Sequence, residues 1–250
     1  MWKWFTWRRV LLILMVVFLL GVAGFVVWAN TVPNLMPEAV AALVDDAAVD
    51  VTQAGWSEFA PVGVTPTVGY VLYPGGKVPA GAYAPLANAL AAQGYFVAIV
   101  NAPLYLALFD TNAAAAVLSA HPQITRWAVG GHSLGGVAAS SFAQSNPLTV
   151  QGLVLMGSIP FPNANLQTRT DLIVTSIYGT LDGLQTVVGV EASAAELPSD
   201  TMFVAIEGGN HAQFGYYGAQ AGDNVATISY AEQTEQVVTA TVALLSRIGG

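Results

Sequence analysis

The sequence predicts an α/β fold, a mostly parallel central sheet flanked by helices and preceded by one N-terminal transmembrane helix. Three observations carry that expectation. Several runs rich in Val, Ile and Leu are apolar throughout, and segments with helical spacing separate them. Strands buried on both faces between crossover helices read this way. Residues 10–29 form an unbroken apolar stretch without a charge, long enough to cross a bilayer as a helix. Finally, a dense Gly/Ser turn, Gly130 to Gly136, joins an apolar run directly to a small-residue segment of helical character. At 250 residues the chain suits one domain plus an anchor.

In chain order, residues 1–9 carry Lys3, Arg8 and Arg9, which predicts a cytoplasmic N-terminus with everything after the helix outside. Trp2, Trp4, Trp7 and Trp28 bracket the apolar run, as aromatic residues do at the two membrane interfaces. The run exceeds the ~7–15 residues of a signal-peptide core, so an uncleaved signal-anchor at 10–29 is expected. Cleavage near Val27-Trp28-Ala29, followed by secretion, is the alternative.

Residues 30–48 read as a linker with a short helix at 37–46, Pro37 in its first turn. The domain spans 49–250 and opens with two short antiparallel strands, 49–52 and 56–60, turning near Ala54-Gly55. Further strands are expected at 67–73, 95–100, 127–129, 150–156, 172–178 and 202–206. Helices are expected at 83–93, 112–120, 134–144, 191–197 and 228–247. Gly94 and His121-Pro122 supply stop signals for the first two.

Composition removes several functions. The chain is 54% hydrophobic and 9% charged, which excludes intrinsic disorder. Beyond the anchor, four basic residues face fifteen acidic ones. Such a surface repels phosphate backbones, so nucleic acid is excluded as a partner. Without a cysteine there is no disulfide, thiolate metal site or cysteine nucleophile.

The turn itself reads Gly131-His132-Ser133-Leu134-Gly135, the G-x-S-x-G pattern of a nucleophile elbow. A serine on a sharp strand-to-helix turn needs glycines two before and two after, where side chains would clash. The Leu134 amide and the helix N-terminus then favour a developing oxyanion. A serine that merely caps the helix is the bland alternative.

Three other loops follow strand ends, where α/β sheets bind ligands. Tyr73-Pro74-Gly75-Gly76-Lys77 offers a second oxyanion amide from Gly75, Gly76 or Lys77. Tyr178-Gly179-Thr180-Leu181-Asp182-Gly183 carries Asp182, and Glu207-Gly208-Gly209-Asn210-His211 carries His211. Ser133, Asp182 and His211 stand in the chain order expected of nucleophile, acid and base in such a sheet. Of the three histidines, His132 sits inside the elbow and His121 before a proline, which leaves His211 as base. Asp171, Asp223, Glu207 and Asp110 are weaker acids by loop position.

On these residues the chain resembles the α/β-hydrolase superfamily from about Val49 to its C-terminus. The combination of Tyr-Pro-Gly-Gly, Gly-His-Ser-Leu-Gly-Gly and Gly-Gly-Asn-His-Ala-Gln-Phe looks like its small bacterial branch related to dienelactone hydrolases. Those enzymes use a cysteine nucleophile, so their substrate does not carry over. The resemblance implies hydrolase chemistry. Many members insert a helical cap between the strands ending here at Met156 and starting at Leu172. The residues between are too few, so no sizeable cap domain and an open site are expected.

The expected function is a membrane-anchored serine hydrolase cleaving carboxylic esters, small-molecule or lipid-like, through an acyl-enzyme. No metal or organic cofactor is needed. The same triad could serve an acyltransferase, thioesterase or amidase, and a catalytically silent ligand-binding module is the alternative from another class. A histidine base predicts activity that falls below about pH 6.5.

Overall fold

A computed structural model describes residues 2–162 and 164–250, with side chains from Thr6 onward. Asn163 of the short loop, and the Trp2, Lys3 and Trp4 side chains of the expected interface belt, lie outside the described residues. Among the described residues eight strands form one sheet: β1 (Val49–Gln53), β2 (Ser57–Pro61), β3 (Val68–Tyr73), β4 (Phe96–Ile99), β5 (Arg126–His132), β6 (Val150–Met156), β7 (Ile173–Gly179) and β8 (Met202–Ile206). Their spatial order is β1-β2-β4-β3-β5-β6-β7-β8. β1 and β2 are antiparallel to each other, and β2 to β4, whereas β3 to β8 all run parallel. The chain leaves β3 for β4 on one side and returns to β5 on the other. That reversal opens a crevice beyond the carboxyl ends of β3 and β5, where α/β sheets bind ligands.

Among the described residues seven α-helices accompany the sheet: α1 (Trp2–Asn30), α2 (Pro37–Ala41), α3 (Ala84–Ala91), α4 (Ala114–Ala120), α5 (Leu134–Ser145), α6 (Val187–Ala192) and α7 (Tyr230–Gly249). The period of two along each strand sorts its side chains between two layers. In β3, Tyr70 and Leu72 join Leu86 and Leu90 of α3 and Leu244 of α7 on one face. Val71 and Tyr73 join Val117 of α4 and Phe142 of α5 on the other. Each large apolar side chain so enclosed contributes about 1.5–3 kcal/mol, which explains why the central strands carry no polar alternation.

Several element ends differ from expectation, each for a local reason. The helix expected at 37–46 stops at Ala41. Asp45 and Asp46 instead accept hydrogen bonds from the amides of Val51, Ala48 and Val49, a side-chain competition that disfavours helix. The helix expected at 191–197 begins earlier, at Val187, because the Thr186 hydroxyl caps the Gly189 amide. Residues 193–196 continue it as a tighter 3-10 turn. β5 runs on to His132, so the strand feeds the serine turn with no intervening residue. Between β6 and β7 the only helical piece among the described residues is the turn Leu166–Thr168, in keeping with the absence of a sizeable cap. In α1, residues Thr6–Asn30 are long and apolar enough to cross a membrane.

Candidate active site

Ser133 stands between the last residue of β5 and the first of α5 with φ 51° and ψ −123°. That region is costly for any residue with a side chain. The flanking glycines make the turn feasible. A Cβ on Gly131 would overlap the Gly135 carbonyl, and one on Gly135 would overlap the Tyr73 carbonyl. The strain is held from the β6 side, where Ser133 N–H donates to the Met156 carbonyl at 3.0 Å. The Ser158 hydroxyl in turn donates to the Ser133 carbonyl at 2.7 Å.

Asp182 lies three residues past β7 and His211 five past β8, and their side chains are 0% and 2% exposed. The His211 Nδ1–H donates to Asp182 Oδ2 at 2.7 Å. Asp182 Oδ1 accepts the amides of Leu184 and Gln185 at 2.8 and 2.7 Å, so the buried carboxylate is fully engaged. This pairing leaves the His211 Nε2 lone pair available as a base. Gly157, at φ +49°, lies beneath the pair. A Cβ there would come within 3.0 Å of Asp182 Oδ2 and 3.1 Å of His211 Nδ1.

Two side chains brace these loops. Asp223 accepts the Gly183 amide at 2.9 Å and the Ala212 amide at 2.8 Å, joining the loop of Asp182 to that of His211. Gln233 of α7, fully buried, accepts from the Asn210 amide at 3.1 Å and donates to the Asn210 carbonyl at 2.8 Å. Asp223, a competing acid by sequence, thus has a bracing position. The other competitors are elsewhere: Asp171 pairs with Arg169, and Glu207 and Asp110 are exposed. His121 bonds Glu58 at 2.8 Å and packs on the Phe96 ring.

The three amides considered for the Tyr73–Lys77 loop separate cleanly. Gly75 N–H donates to the Tyr83 hydroxyl at 2.9 Å, and Lys77 N–H to the Tyr105 carbonyl at 2.7 Å. Gly75 is therefore already engaged, because Tyr83 reaches it from the turn before α3. The Gly76 and Leu134 amides have no acceptor among the described residues, and the Leu134 side chain lies against Gly76.

Tyr83 also fixes His132. Its hydroxyl accepts from Gly75 and is hydrogen-bonded to His132 Nδ1, 2.9 Å away. The other ring nitrogen of His132, Nε2, is buried with no partner among the described residues. Burial, and then the neighbouring His211, hold its pKa well below the usual histidine value. The two imidazole rings are 4.4 Å apart, which brings the His211 loop against the residue next to Ser133.

The Alpha/beta hydrolase family pattern matches residues 69–235, from β3 into α7. The chain belongs to the alpha/beta hydrolase family. No curated protein matches this alpha/beta hydrolase in sequence. Among solved structures it is similar to the esterase domain of a Rhodothermus marinus protein, with TM-score 0.60 and 17% identity over 78% of this chain and 93% of that one. A predicted CIB-like hydrolase from Thermoplasma acidophilum gives 0.58 and 16% over 80% and 97%. Est1E from Butyrivibrio proteoclasticus gives 0.57 and 11% over 80% and 100%. Identities this low speak for the shared fold, and the chemistry of this hydrolase has to be argued from its own side chains.

Proposed function

We propose that the protein is a membrane-anchored serine hydrolase that cleaves carboxylic esters through an acyl-enzyme. The observation that carries this reading is the enclosed 2.7 Å Asp182–His211 hydrogen bond, with the His211 ring 4.4 Å from that of His132, whose neighbour Ser133 sits on a strained strand-to-helix turn. In the proposed reaction Ser133 Oγ attacks the ester carbonyl while His211 Nε2 takes its proton. Asp182 keeps the imidazole in its Nδ1–H form and stabilises the imidazolium. The Leu134 and Gly76 amides, which lack protein acceptors, would bind the oxyanion. His211 returns the proton to the leaving alcohol, and water repeats the sequence on the acyl-enzyme. One of the similar structures is named as an esterase domain, which favours an ester over other acyl substrates.

In the same reading residues 10–29 are the uncleaved anchor, residues 1–9 stay in the cytoplasm, and the domain at 49–250 works outside. Lys3, Arg8 and Arg9 support that orientation. The full-length chain in detergent micelles, assayed on p-nitrophenyl esters of increasing chain length, tests the chemistry. Ser133→Ala is expected to lower kcat/KM by about 10³-fold or more. Wild-type turnover in that variant would overturn the assignment.

A further inference from the structure

The carboxyl end of α1 does not stand clear of the domain. Trp28 lies under the Lys77 ammonium, 4.3 Å from ring centroid to Nζ, and Lys77 directly follows Gly76, whose amide is free. Phe25, one turn and a half before the end of α1, meets Phe109 edge to face at 6.3 Å. Residues 102–110 therefore bridge two places. At their base the Tyr105 carbonyl holds the Lys77 amide and the Leu106 side chain approaches Gly76. At their tip Leu108 and Phe109 are 42% and 58% exposed. Leu104 and Tyr105, at φ 52° and 56°, fix this course in a strained turn that a solvated linker would have no reason to keep.

At 1.5 Å per residue, Phe25 lies about 7 Å inside the end of α1. A helix that spans a bilayer would carry Phe109 and Leu108 to the boundary between headgroups and acyl chains. Between the same helix end and the loop after β3 opens a cleft of about 520 Å³, walled by Trp28, Thr31, Gly76, Lys77, Tyr217 and Ala221. One wall is thus the end of α1, and Gly76, proposed to bind the oxyanion, lies in another. Lys77 is the sole lysine of an acidic domain, and it stands at this mouth.

We propose that the substrate is a phospholipid of the bilayer in which α1 is embedded, entering the site sideways through this cleft. The proposal rests on the serine-hydrolase reading above. The 108–109 tip seats the domain in the membrane surface, Lys77 pairs with the lipid phosphate, and an acyl ester reaches Gly76 and Ser133 without crossing water. Ser133 Oγ bonds to the carbonyl carbon, and the bond to the glycerol oxygen breaks. His211 passes the proton to that oxygen, releasing the lysophospholipid. Water then hydrolyses the acyl-enzyme to a free fatty acid.

The test uses the full chain in vesicles of palmitoyl-oleoyl phosphatidylglycerol and phosphatidylcholine in equal parts. Fatty acid released from the vesicle lipid is compared with turnover of water-soluble p-nitrophenyl acetate. Leu108→Ser with Phe109→Ser is expected to cut fatty-acid release by at least about tenfold, a lower bound on withdrawing two apolar side chains of this size from the bilayer. Acetate turnover stays at the wild-type level, which also reports that the variant is folded. Because the chain has no cysteine, Phe109→Cys labelled with a polarity-sensitive dye reads depth directly. Its emission should shift to the blue in vesicles, whereas dye on Leu148→Cys, 93% exposed, should stay as in water. Acetate turnover without fatty-acid release, equal release by the Ser variant, or an unshifted dye at 109 would overturn lipid entry. Absence of both activities would instead overturn the serine hydrolase.

Discussion

Gly157 shows how little room the buried pair allows. Its positive φ and the 3.0 and 3.1 Å approaches to Asp182 and His211 mean that Gly157→Ala must displace one of them. The neighbour gives by only a few tenths of an ångström, and since ~1 Å of misplacement costs on the order of 10²-fold in rate, kcat is expected to fall by roughly several-fold with the fold retained by circular dichroism. His132 makes a different prediction. Folded, it is neutral and faces Tyr83, His211, Phe214 and Tyr217. Unfolded, it binds a proton below about pH 6.5. The unfolded state then holds the extra proton, so this residue lowers stability as pH drops below that value, by up to ~1.4 kcal/mol per pH unit. Denaturant melts at pH 7.5 and 5.0 should differ less in His132→Asn than in wild type, and an unchanged difference would contradict the buried neutral histidine. Ser133, Asp182 and His211 stood out in sequence as candidates because each lies in the loop that follows an apolar strand, where chain order alone suggests a role. Ser158, Asp223 and Gln233 were not. Each acts by holding one loop against another, and no local pattern records which loops meet.

Helix α7 ends the chain with a full capping box: the Ser229 hydroxyl accepts the Glu232 amide while Glu232 reaches back to the Ser229 amide. The same helix delivers Gln233 to the Asn210 backbone. Ser229→Ala is expected to cost about 1 kcal/mol, measurable as a lower Tm. An unaltered Tm would mean that packing of α7 alone sets its start. The strands were readable from their uniform apolarity, which reflects burial on both faces. The helix ends were read less well, because Asp45 and Asp46 and the Thr186 cap act through backbone amides several residues away. The loop proposed to bind the oxyanion belongs to this scale too. Tyr73-Pro74-Gly75-Gly76 announced a tight turn, but only the arrival of Tyr83 decides that Gly75 is engaged and Gly76 free.

For the whole molecule, the topology brings four loops to one edge of the sheet, and α1 ends beside the same edge through Trp28 and Lys77. Removing α1 would therefore expose part of a wall of the cleft. An uncleaved anchor predicts that the protein stays in the membrane fraction after alkaline carbonate extraction, at its full-length mass. Recovery of a shortened chain in the soluble fraction would identify a cleaved signal instead. The central claim is that Ser133 is a nucleophile activated by His211, and one measurement tests it most directly. Full-length protein is treated with a fluorophosphonate probe, and the modified peptide is mapped by mass spectrometry. The account predicts a single adduct on Ser133, lost in Ser133→Ala and strongly slowed in His211→Ala. An adduct on another residue, or none on the folded wild-type chain, would contradict it.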